Sequence, residues 1–248
     1  ALNSACSIRL LDGERGRFKA DDVLANINPD DIHAPVSRLV EIENTVNKGG
    51  GCFYSLNEIE KIAGVCRKHN LKLHLDGARL FNGLVETGET PGQYGKFFDS
   101  VSICLSKGLG APVGSLLIGS TSFIKQARRV RKVFGGGMRQ AGYLAAAGIF
   151  ALQNNIERLQ DDNRRAKELG ETLTGLPYVK ELLPVDTNIV VFSLVDSVPV
   201  EMFINRLREN GVLAIAFGKQ KVRLVTHLDF TEDMLKKTKK ILTGMAIS

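Results

Sequence analysis

Short β-patterned runs separated by helix-patterned stretches constrain this chain more than any other feature. Residues 38–43, 71–75 and 100–105 read as strands. Between the first two, residues 55–69 place Leu56, Ile59, Ile62, Ala63 and Cys66 on one helical side, and Ser55 with Glu58 forms a capping box at the start. Between the next two, a helix begins at 78–84 behind Gly77, which permits a sharp turn. Strands alternating with helices predict a mostly parallel sheet, an α/β architecture. The run 113–118 follows a short turn and is expected antiparallel to its neighbour; 123–133 and 139–153 read as helices. After residue 155 the pattern changes. A long charged helix (156–173), a strand (188–195), a helix (200–210), a hairpin of 212–216 with 221–226 and a closing helix (231–242) predict a smaller α+β unit. The expected division is therefore 1–155 and 156–248, with the long charged helix able to bridge the two parts.

Composition narrows the function classes. A chain of 248 residues, 44% hydrophobic, can bury a large core. No apolar stretch is long enough to span a bilayer, and the polar start ALNSACSIRLLDGERG does not resemble a signal peptide. The four cysteines (Cys6, Cys52, Cys66, Cys104) lie far apart, with no CxxC pair or Cys/His cluster, so neither a zinc site nor a disulfide framework is indicated. Reduced thiols fit a cytoplasmic location. The net charge of +6 raises the question of nucleic acid. The basic residues are dispersed apart from RRVRK (128–132) and KKTKK (236–240), the second on an amphipathic helix, and no aromatic–basic interleaving is present. No nucleic-acid or membrane partner is expected.

Two strand ends carry candidate chemistry. In LKLHLDGAR (71–79), Leu71, Leu73 and Leu75 alternate with polar residues and the strand closes on Asp76, with Arg79 three residues on. A carboxylate at the C-terminal end of a strand lies where open α/β sheets place their ligands; it also serves as an ordinary helix N-cap. In DSVSICLSKGLGAPVGS (99–115), Lys107 sits between an apolar run and a Gly-rich turn. A lysine desolvated there is a nucleophile that traps carbonyl compounds; an ordinary lysine at a strand-to-loop exit reads the same in sequence. Taken together, a strand-end carboxylate and a strand-end lysine are what pyridoxal 5'-phosphate chemistry needs. The lysine holds the cofactor aldehyde, and the carboxylate keeps the pyridine nitrogen protonated.

HLDGAR (74–79), SICLSKGLGAPVGS (102–115), RKVFGGGMRQAG (131–142) and VRLVTHLD (222–229) resemble the low-specificity threonine aldolases, as does DDIHAPVSRLVEIENTVNKGGG (30–51). The resemblance runs from about residue 8 to the C-terminus. It implies a pyridoxal-phosphate-dependent transferase-like fold (fold type I, the aspartate aminotransferase type), and cleavage of L-threonine or L-allo-threonine to glycine and acetaldehyde. It implies that Lys107 is the lysine bonded to the cofactor and Asp76 the partner of the ring nitrogen. Arg79 is similar to the arginine beside the ring hydroxyl, within reach of the substrate carboxylate, and Arg223 to the main carboxylate-binding arginine. Lys132 and Arg139 resemble basic residues that approach the cofactor phosphate from a neighbouring subunit, which implies a homodimer or homotetramer with shared active sites. His33 resembles the histidine near the substrate hydroxyl, as base or as positioning group; a loop histidine before a proline is also ordinarily just exposed. His74 lies by the cofactor in the family, though a packed strand histidine reads alike. Where the family often has ENTHN this chain has ENTVN, so Val46 removes a histidine. The family's earlier phosphate-cradling turn and ring-stacking histidine find no counterpart here, so an N-terminal part is expected to be missing. Two other readings share these motifs: another pyridoxal-phosphate amino-acid lyase, such as a β-eliminating one, and a truncated relative without activity.

Overall fold

A computed structural model describes residues 4–245, and its strands pair into two separate sheets. A short helix, α1 (Ala20–Ala25), precedes β1 (Leu39–Glu43). Helix α2 (Leu56–Lys68) leads to β2 (Lys72–Asp76), and α3 (Leu80–Thr87) with α4 (Pro91–Gly95) leads to β3 (Ser100–Cys104). β1, β2 and β3 are parallel neighbours. β4 (Ser115–Gly119) closes the order antiparallel to β3, as its short connection requires.

Alternation along these strands gives the sheet two unlike faces. Ile42, Leu73, Leu75, Val101 and Ile103 are buried and share one core with Ile59 and Ile62 of α2. The register sets Glu41, His74 and Ser100 side by side on the other face, and then Glu43, Asp76 and Ser102. The His74 Nδ1–Ser100 Oγ contact, 2.8 Å, confirms the shared face, and it satisfies His74 as a packed strand residue. The capping box of α2 forms as expected: Ser55 Oγ accepts from the Glu58 N–H, and the Glu58 carboxylate accepts from the Ser55 N–H.

Helices α5 (Thr121–Val133) and α6 (Gly142–Asn154) follow. α6 starts three residues later than the pattern suggests, because Gln140 takes φ +50° and ends the preceding loop in a left-handed turn. α7 (Leu159–Leu173) then contributes Leu159 to the first core and Ala166, Leu169 and Leu173 to a second. That second core is built on an antiparallel sheet ordered β5 (Val179–Leu182), β6 (Ile189–Leu194), β8 (Lys221–Val225), β7 (Ile215–Ala216). Helices α8 (Val200–Glu209) and α9 (Glu232–Gly244) complete it. α1, α4 and β5 are too short to carry a period and are not anticipated from sequence.

Polar ties join the two parts. Asn82 of α3 and Asn163 of α7 are buried and bond reciprocally: Asn82 Nδ2 donates to Asn163 Oδ1 (3.1 Å), and Asn163 Nδ2 to the Asn82 carbonyl (2.9 Å). Thr187 Oγ1 donates to the Gly51 carbonyl (2.7 Å), and Arg15 pairs with Asp186 (2.7 Å). Among the described residues, no helix is long and apolar enough to cross a membrane.

Candidate active site

The parallel strands β1, β2 and β3 deliver their C-terminal ends to one edge, and the chemistry collects there. Asp76 ends β2 half-buried, and its Oδ1 accepts from the Ala78 N–H at 3.1 Å. It closes a local turn and does not cap a helix; the N-cap of α3 is Arg79, without a side-chain bond. Gly77 is required at this turn: a Cβ there would lie 2.7 Å from the Ser102 carbonyl, which already accepts the Gly77 N–H.

Lys107 departs from the buried strand end expected of it. β3 stops at Cys104, and Ser106 and Lys107 emerge into solvent before Gly108 and Leu109 turn back into the core. Gly108 passes so close to α7 that a Cβ would meet Leu159 at 2.7 Å. Asn155 Nδ2 fixes the same loop through the Leu109 carbonyl (2.7 Å), and Arg158 Nη1 through the Gly108 carbonyl (3.3 Å). The backbone beside Lys107 is therefore anchored while its side chain is open.

Around this edge lies one electrostatic neighbourhood. Burial raises the Glu43 carboxyl above its ordinary value, the Asn47 backbone N–H pulls it back, Asp76 pushes it further up, and Arg79 and Lys107 draw it down. Burial lowers the Arg79 guanidinium and the nearby Arg223 lowers it further, while Glu43, Cys104 and Asp76 oppose them. Arg223 comes from β8 of the other sheet, and burial lowers it too. Arg79 and Lys107 thus act on Glu43, Asp76 acts on Arg79, and Arg223 meets Arg79, which links three cations and two carboxylates at this edge. The Nε atoms of Arg79 and Arg223 are buried without a protein acceptor. Positive excess together with orphaned buried donors suits an anionic ligand bearing carboxylate or phosphate. Glu43 is not singled out in sequence, although it ends its strand as Asp76 does.

Among the described residues, no hydrogen bond or ion pair ties the other expected residues to this cluster. His33 is exposed on the loop entering β1; its backbone N–H donates to Asp31 Oδ1 (2.8 Å), and among the described residues no hydrogen bond or ion pair engages its ring. Lys132, in the last turn of α5, and Arg139, in the following loop, are both exposed. Val46 is buried and pairs with Cys52, so the chain uses that position for packing.

Residues 1–197 match the beta-eliminating lyase family. The chain is 43% identical over 201 residues to the low-specificity L-threonine aldolase 1 of Arabidopsis thaliana, covering 79% of this chain and 56% of that protein. It thus spans little more than half the length of that curated relative. The Leishmania major threonine aldolase structure superposes with a TM-score of 0.76 at 22% identity, covering 93% of this chain and 68% of that one. The histidinol-phosphate aminotransferase of Clostridium acetobutylicum does so with a TM-score of 0.69 at 15% identity, covering 94% and 69%. The fold is therefore the one shared by these enzymes, with the mostly parallel sheet and the smaller α+β part that the motifs imply.

Proposed function

The chain belongs to the beta-eliminating lyase family, and we propose that it is a pyridoxal-phosphate-dependent aldehyde lyase, cleaving L-threonine or L-allo-threonine to glycine and acetaldehyde. One observation carries the reading: Asp76 ends β2 beside Glu43, Arg79 caps the following helix, Lys107 lies in the loop just past β3, and Arg223 of the second sheet bonds to Asn47 in the loop leaving β1. The similarity to curated threonine aldolases supports the substrate class.

The residues fit the cofactor through their charge excess and unpartnered guanidinium donors. Bound pyridoxal phosphate supplies an electron sink for the Cα–Cβ bond that breaks. Asp76 would hold the proton on the ring nitrogen, and Lys107 would present the amine to the cofactor aldehyde. Arg223 takes the substrate carboxylate through its planar fork, assisted by Arg79. Lys132 and Arg139, exposed here, serve the phosphate of a second copy in a homodimer or homotetramer. The exposed apolar residues Leu116, Ile118, Phe123, Val133 and Phe134 around them support such an assembly. His33 is assigned to the substrate hydroxyl by resemblance alone. Four unpaired cysteines suit a cytoplasmic enzyme.

The test incubates the protein with pyridoxal phosphate and L-threonine. Acetaldehyde and glycine are expected, with turnover falling to background in Lys107→Ala. 2-Oxobutanoate and ammonia instead would identify a β-eliminating lyase. Failure of borohydride to trap cofactor on Lys107 would identify an inactive relative. Light scattering is expected to give a mass at a multiple of 27.1 kDa.

A further inference from the structure

Arg223 reaches the candidate site from β8, and two contacts outside its own sheet element hold its guanidinium. Nη1 donates to Asn47 Oδ1 at 2.8 Å, and the guanidinium carbon lies 4.5 Å from the centre of the Phe217 ring. Asn47 belongs to the loop leaving β1, and its backbone N–H faces the Glu43 carboxylate. Phe217 lies in the β7–β8 turn, where its N–H donates to the Lys221 carbonyl (2.8 Å). Asn47, Phe217 and Arg223 are all half-buried.

We propose that Asn47 is a positioning residue that aims Arg223 at the carboxylate of an α-amino acid, with Phe217 as the backing plane; this rests on the lyase reading above. A planar fork captures a carboxylate bidentately only when its plane is fixed. The ring stacked on one face restricts the tilt of that plane, and the bond at Nη1 restricts its rotation. The neutral amide matters as much as the bond. An aspartate in its place would compensate the guanidinium charge, whereas Asn47 orients it and leaves the charge for the ligand. Nη2 donates to no protein acceptor among the described residues, and Nε is buried without one, so donors remain for an incoming anion. Because Asn47 follows β1 and Arg223 lies in the second sheet, the bond also sets how far the carboxylate sits from the strand-end group.

The experiment measures glycine binding to the cofactor-loaded full chain by calorimetry, beside steady-state cleavage of L-threonine. In Asn47→Ala, glycine affinity is expected to fall roughly tenfold, as for a lost hydrogen bond to a charged group, and KM to rise in step with kcat little changed. Binding of 1-amino-2-propanol, which lacks the carboxylate, stays unchanged. Asn47→Asp keeps the shape of the loop and guards against misfolding; its glycine affinity is also expected to fall, because its charge competes for Arg223. Unchanged glycine affinity in both variants, or an equal loss for the carboxylate-free amine, overturns the assignment. A wild type that binds glycine but releases no aldehyde from threonine overturns the lyase reading and leaves Asn47 assigned. A wild type that binds no glycine overturns both.

Discussion

At the scale of single residues, Glu43 shows how the fold sets an environment that its sequence does not announce. The register places it beside Asp76 on the polar face of the sheet, and burial disfavours its charge. A folded pKa above the ordinary 4.5 means that this group's contribution is complete below that value and is lost as pH climbs through the folded one. Glu43→Gln suffers no such loss. Its melting temperature should match the parent near pH 4 and exceed it at pH 8, by about 2 °C because partial exposure screens the charge. A melting series across pH checks this. Sequence names Asp76 and Lys107 as strand-end groups and overlooks Glu43 and Asn47. Neither belongs to a recognisable pattern; what singles them out is the strand beside them and the arginine that arrives from Arg223's distant segment.

Individual elements were more legible. The helix at 55–69, the strands around it and the second strand of the C-terminal hairpin appear close to their expected bounds, because period and capping are local properties, while the hairpin's first strand shrinks from 212–216 to Ile215–Ala216. Ser55 shows the energetics. Burial pushes the Glu58 carboxyl up, but the Ser55 N–H and hydroxyl outweigh this and hold it below its ordinary value. Ser55→Ala should cost about 1 kcal/mol near neutrality, read from urea unfolding midpoints. The part of that cost due to the Glu58 charge disappears as pH falls through its folded pKa. Lys107 marks the opposite case. Its apolar run suggests a buried end, yet β3 stops at Cys104 and the loop is steered by Asn155 and Arg158, whose positions no local pattern reports.

For the whole molecule, α7 is decisive, since it packs into both cores and carries Asn163 against Asn82. Asn163→Ala would leave the Asn82 amide buried without its partner, at about 1–3 kcal/mol. One cooperative transition at lower urea is expected, with amides in β2 and β6 losing hydrogen-exchange protection together; separate transitions would show that the two parts unfold independently.

Sequence by itself determined the alternation of strands and helices, the polarity of the strand ends and the order of the motifs, because these depend on neighbours a few positions away. Tertiary structure alone decided that Glu43 lies beside Asp76, that Arg223 from the second sheet joins Arg79, and that Asn47 meets it across 176 positions of chain. Such meetings depend on register and on the packing of α7, which arise only when distant segments bury their apolar faces together.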